Sequence, residues 1–193
     1  MKKLPIILAA LLLLSGCSMH TRYTLDLKLA GFLGELARGS VELPAYQSFE
    51  VYLPDDQDGD LTTPDPDGAP VQIPALAGKL ERIRIQLRAT IEETGGQPLA
   101  LSAAIYVGGI DAADLYHGDG VKLGEASLRL AAGESGTLDL EISLQEGDPG
   151  YDRIAGGEFR LGLKLSGSAR AFEYAIEHLE LRLTTPPLGE LLR

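Results

Sequence analysis

The chain of 193 residues has no tryptophan and no asparagine, one cysteine and two methionines. Without asparagine there is no N-glycosylation acceptor. Without tryptophan, the chain lacks the aromatic that most often stacks on a sugar. A single cysteine allows no disulfide within the chain, so stability must come from a core, a bound ion or a partner. Basic residues are scarce as well: 17 Lys and Arg stand against 28 Asp and Glu, a net charge of −11. A nucleic-acid surface needs clustered Lys and Arg, and so does an electrostatic grip on anionic lipid; the balance argues against both. Nucleophile motifs are missing too. Gly133-Glu134-Ser135-Gly136-Thr137 lacks the closing glycine of Gly-x-Ser-x-Gly, and His20, His117 and His178 form no His-Glu-x-x-His. Only a pair of carboxylates joined by the fold remains open as enzyme chemistry. The expectation is a non-enzymatic protein without a cofactor, unless calcium serves as one.

The N-terminus is more informative. Met1-Lys2-Lys3 supplies positive charge, and Ile6 to Leu14 is an unbroken apolar run. The run is shorter than the ~20 residues that span a bilayer, and it suits the apolar region of a signal peptide. Leu14-Ser15-Gly16-Cys17 follows directly. This resembles the lipobox of bacterial lipoproteins. The resemblance implies a diacylglyceryl thioether on Cys17 and a third acyl chain on its freed amine, and two or more chains anchor a protein stably. It implies a signal peptide at 1–16, an acylated anchor and tether at 17–21, and one domain at 22–193. Cleavage would leave 177 residues with 15 basic and 28 acidic side chains. Aspartate after the cysteine holds enteric lipoproteins at the inner membrane. Ser18 therefore points to the outer membrane, facing the periplasm, in a host with two membranes, and to the outer face of the cell membrane otherwise. From Ser18 to Thr21 the tether reaches less than about 20 Å, so the domain is expected close to its bilayer.

Beyond the tether, period-two alternation recurs. Leu25, Leu27 and Leu29 alternate with Asp26 and Lys28, and Phe49, Val51 and Leu53 with Glu50 and Tyr52. The same pattern runs through 83–91, 138–144, 159–165 and 179–183, and residues 99–107 and 125–130 read as two more strands. Successive strand residues point to opposite faces, so each segment has an oily face and a wet one, the pattern of antiparallel sheets packed face to face. The predicted fold is an all-β antiparallel sandwich, Ig-like or jelly-roll. Gly133-Glu134-Ser135-Gly136 reads as a hairpin loop. One segment breaks the pattern. Leu29, Phe32, Leu33, Leu36 and Ala37 fall at helical spacing, predicting a short helix near residues 29–38 whose apolar face meets either the core or lipid.

Two loops carry candidate chemistry. Asp55, Asp56, Asp58, Asp60, Asp65 and Asp67 crowd an acidic loop at 54–70, and no Lys or Arg occurs from Gly39 to Gly78. Calcium takes 6–8 oxygens, so Asp56, Asp58, Asp60, Asp65 and Asp67 are candidate calcium ligands; the alternative is a solvated acidic loop. Pro54 and Thr63 stand where a calcium-binding EF-hand loop wants its first aspartate. The second loop, Ile110 to Gly120, holds Asp111, Asp114, Tyr116, His117 and Asp119. These residue types suit a metal or an acid–base pair, and they equally suit ordinary turns. The expected function is a membrane-anchored envelope lipoprotein that binds or supports an envelope protein partner. The alternatives are a calcium-dependent adhesion module and a carrier of an apolar ligand.

Overall fold

The computed structural model describes residues 22–54, 68–73 and 80–187. Cys17, the segment up to Thr21 expected to be a tether, and the five aspartates proposed for calcium lie outside the described residues. The described residues form eight strands: β1 (Thr24–Lys28), β2 (Arg38–Leu53), β3 (Ala69–Gln72), β4 (Arg82–Glu93), β5 (Leu99–Gly109), β6 (Val121–Leu130), β7 (Ser135–Leu144) and β8 (Glu158–Thr184). One turn of α-helix, α1 (Ala30–Leu33), runs into a 3-10 turn at Gly34–Ala37, and a second short helix, α2 (Tyr151–Ala155), precedes β8. The fold is the expected all-β antiparallel sandwich. No helix among the described residues is long and apolar enough to cross a membrane.

The sandwich is one hydrogen-bonded sheet folded over on itself. Its spine is β8, 27 residues long. The first part of β8 pairs with β5, and its later part, from Phe172 onward, pairs with β4 along the same edge. Its other edge carries β3, β2 and β1 in turn. β6 then extends β5, and β7 extends β4. Layer I is therefore β3 and the end of β2, then β8, β5 and β6. Layer II is β1 and the start of β2, then β8, β4 and β7. Both β2 and β8 turn the corner between layers. In β2 the register slips between Glu42 and Gln47; in β8 the buried positions change from Phe159, Leu161, Leu163 and Leu165 to Phe172, Tyr174 and Ile176. That change of parity keeps apolar side chains inside on both layers. Phe49 and Phe172 meet at the corner with ring centroids 5.1 Å apart.

Alternation predicts the inward residues. Ile83, Ile85, Leu87 and Ala89 of β4 stand opposite Leu144, Ile142, Leu140 and Leu138 of β7 in register, Ile91 stands opposite Gly136, and all the apolar residues named are buried. His178 interrupts the alternation because Glu177 is a bulge: Arg88 pairs with His178 and Ala89 with Ile176, leaving Glu177 as the extra residue. The parity flips again there, so Leu179, Leu181 and Leu183 point inward. The helical segment turns its apolar side to the core. Leu29 and Leu33 are buried, and the Leu29 amide bonds the Leu179 carbonyl at 2.7 Å. Gly34 ends the helix at φ +54°, a backbone geometry disfavoured for residues with a Cβ.

The two ends of the sandwich differ. At the corner end the connections are tight turns, and the Thr94 and Gly95 amides bond the Ala171 carbonyl at 3.2 and 3.3 Å. At the opposite end lie the start of β1, both tips of β8 and the longer connections 110–120 and 145–157. The Tyr151 hydroxyl bonds the Leu80 carbonyl there, and the Ile73 amide bonds Gly157 at 2.9 Å. Leu53 and Ala69, which flank segment 55–67, stand at this end opposite Leu163 and Leu161.

Candidate functional site

Strand register brings together on the outer face of layer I side chains that sequence spacing keeps far apart. Tyr52 lies opposite Lys164, and Glu50 opposite Ser166. The Tyr52 hydroxyl donates to Glu50 Oε2 at 2.5 Å, and Lys164 Nζ reaches Glu50 Oε1 at 2.6 Å. The ammonium also sits 5.3 Å from the centre of the Tyr52 ring, within range of a cation–π attraction. Alternation predicts a wet environment for Tyr52, and the structure corrects this: Tyr52 is 2% exposed. The loop from Ile110 to Gly120 covers it.

That loop is shaped by its own acids. Asp114 Oδ1 accepts the amides of Tyr116 and His117 at 3.0 and 2.8 Å, and Asp119 Oδ2 accepts those of Ala113 and Asp114 at 3.0 and 3.3 Å. These are the side-chain-to-backbone bonds that make Asp a turn residue. The turns drive Leu115 and Tyr116 down onto the sheet. Leu115 is fully buried, with Tyr52, Tyr116 and Tyr106 around it. Room exists because Gly108, Gly120 and Gly162 have no Cβ; one added at Gly162 would collide with the Tyr116 hydroxyl. Tyr116 donates to the Leu53 carbonyl at 3.1 Å, its ring is 4.8 Å from Tyr52 and 5.4 Å from Tyr106, and Arg160 Nε holds the Ile110 carbonyl at 2.6 Å.

The electrostatics reinforce the ordinary charge states of Glu50, Tyr52, Lys164 and Asp114. Hydrogen bonds from Lys164 and Tyr52 hold the Glu50 carboxyl below its ordinary range. Burial, then the bond to Glu50, pushes the Tyr52 phenol up. Burial works against the Lys164 ammonium, but its bond to Glu50 outweighs this and its pKa is raised. Burial works to raise Asp114, and the His117 and Tyr116 amides outweigh it, so that carboxyl too is lowered. Lysine, glutamate and phenol thus hold their protonation states across the neutral range. Their pKa values are pushed away from neutrality, whereas a general base works best near it.

Of the second loop's candidates, Asp114 and His117 come together, with Nδ1 3.4 Å from Oδ1. Asp119 serves the turn from its other side. Among the described residues no group of three or more His, Cys, Asp or Glu is placed to hold a metal ion. His178 Nε2 lies 3.3 Å from Glu180 Oε2 on the outer face of layer II. It stands there in a ladder of charges with Arg182 and Asp26, whose Nε and Oδ1 are 2.6 Å apart. Sequence reasoning missed Glu93. It is 2% exposed, and its carboxylate accepts the Gly133 amide at 2.6 Å and the Gln97 amide at 3.2 Å. These bonds, led by that from Gly133, lower its pKa and tie together two corner-end turns. The signal was available: position 93 continues the inward series 83, 85, 87, 89, 91.

Between the layers, Leu29, Leu33, Leu53, Val71, Ile105 and Leu179 line a small apolar cavity of about 20 Å³.

No family model matches this chain, and no curated protein matches it. Among solved structures it is similar to chains from infectious bursal disease virus particles. For the Gx strain structure the identity is 12%, the TM-score 0.40, and the match covers 88% of this chain and 35% of that one. For the Gt strain the values are 9%, 0.40, 87% and 34%. The chain spans about a third of the length of the viral chains it matches.

Proposed function

We propose that this protein is a lipid-anchored envelope lipoprotein that acts as a non-enzymatic binding or scaffold module, held in its membrane through acyl chains on Cys17. The observation that carries the reading is the lipobox-like order Leu14-Ser15-Gly16-Cys17, a few residues before β1 begins at Thr24. The site supports a non-catalytic role: Glu50, Tyr52 and Lys164 neutralise one another, and Asp114 and Asp119 are spent on shaping a loop. The partner is an envelope protein.

The test is expression of the full chain and of Cys17→Ala in a lipoprotein-processing bacterium fed radiolabelled palmitate. The wild-type chain takes up label, shortens by the signal peptide and sediments with membranes. The variant does none of these. Equal membrane retention and no label in either form would end the reading. Turnover of an envelope substrate by the pure domain would end its non-enzymatic part.

A further inference from the structure

We infer that the sandwich stands upright on its bilayer, with the loop end against a weakly charged lipid surface and the corner end facing away. The inference rests on lipidation of Cys17 and adds which surface meets lipid.

The first argument is the length of chain outside the structure and where it ends. From Cys17 to Arg22 is five residue steps, a reach of at most about 18 Å. That chain enters the fold at a pinned point. The Tyr23 amide bonds Thr185 Oγ1 at 3.3 Å, and the Thr185 amide returns to the Tyr23 carbonyl at 2.9 Å. Arg22 is fixed as well, its Nε 2.9 Å from Glu81 Oε2. All these residues belong to the loop end. The corner end stands a full strand away, about 35 Å along β4, which the tether cannot reach around.

The second argument is what each surface would give up against headgroups. Tyr23 at the loop end and Tyr46 at the corner are similarly exposed, 52% and 50%, and both have the apolar body and polar tip that favour the membrane interface; only Tyr23 lies within reach of the anchor. Lying on layer II would press the Asp26–Arg182–Glu180–His178 ladder and the Arg88–Asp139 pair onto lipid, removing water from paired charges. The loop end is itself acidic: Asp111, Asp119 and Glu158 are exposed there, and Leu53 and Ala69 lead from it into segment 55–67, which carries six aspartates in sequence. Anionic lipid would repel it, so the fitting surface is mainly zwitterionic.

Single cysteines report the orientation because lipid occupies Cys17. Gly118→Cys and Pro149→Cys place a fluorophore at the loop end; Gln97→Cys and Ala132→Cys place one at the corner end. All four positions are exposed. The full lipidated chain is reconstituted in phosphatidylcholine vesicles carrying a headgroup quencher. The expected result is strong quenching at 118 and 149 and none at 97 and 132, with the loop-end quenching weakened in phosphatidylglycerol-rich vesicles. Equal quenching at both ends, or quenching at the corner end alone, overturns the inference. So does an unquenched chain that floats with the vesicles. A chain that fails to float and takes fluorophore at Cys17 itself overturns the lipid anchor, and the orientation with it.

Discussion

Leu115→Ala measures how firmly the 110–120 loop is docked. Leu115 is fully buried, yet its surroundings are a small cluster of Tyr52, Tyr106 and Tyr116 on an outer face, apart from the main core. Leu→Ala changes in enclosed cores cost about 2.7–5 kcal/mol, and the cost falls where the site can collapse around the gap. A surface loop can settle inward, so we expect the low end, about 2–3 kcal/mol. In a chain of this size that lowers the melting midpoint by about 4–12 °C. Urea unfolding followed by far-UV circular dichroism gives the free energy, and the near-UV tyrosine signal reports the ring cluster. Hydrogen exchange adds a local reading. The Tyr116 and His117 amides, held by Asp114, should exchange faster in the variant, while those of β4 keep pace with global stability. A stability change below about 0.5 kcal/mol, with unchanged exchange at 116 and 117, would refute the claim that Leu115 pins the loop.

Three further outcomes follow from the same geometry. Gly162→Ala should destabilise and loosen the same tyrosine cluster, although alanine ordinarily improves on glycine in a strand by about 0.5–1 kcal/mol; a more stable variant by thermal melt would show that Tyr116 yields freely. Glu50, Glu93 and Asp114 are held ionised in the folded state with lowered pKa values, so the unfolded chain takes up protons first on acidification. Stability should therefore hold above the ordinary carboxylate range and fall as pH drops through and below it, and Glu50→Gln should shrink that fall in urea midpoint. Deleting Glu177 should be tolerated, because it removes the bulge and joins Ile176, His178 and Leu179 into a regular alternation. Deleting Arg182, which has no bulge to absorb the loss, should turn Leu183 outward and give little soluble protein on expression.

Most of the sandwich was legible in the linear pattern because each strand keeps one apolar face, and Leu138 to Leu144 shows this most plainly. The unity of β8 was not. Segments 159–165 and 179–183 look like separate strands because the corner near Ala169 and the bulge at Glu177 each reset the parity. The start of β2 was hidden for the same reason, since Leu43-Pro44-Ala45-Tyr46 rounds the corner out of register with β8. The site was less legible still. Tyr52 and Lys164 are more than a hundred residues apart, and only pairing between β2 and β8 makes them neighbours. The aspartates of 110–120 were visible, but the feature that makes the loop matter is Leu115, which reads as an ordinary apolar residue until the glycine hollow beneath it is seen.

The dominance of β8 bears on how the chain comes to be folded at all. Five of the other seven described strands pair with it, yet it comes last of them in sequence. Synthesis from the N-terminus makes β1, β2, β3, β4 and β5 before the segment that joins them exists. Contacts so distant in sequence form slowly. The part made first therefore has no complete sheet to join, and the fold closes only when β8 arrives.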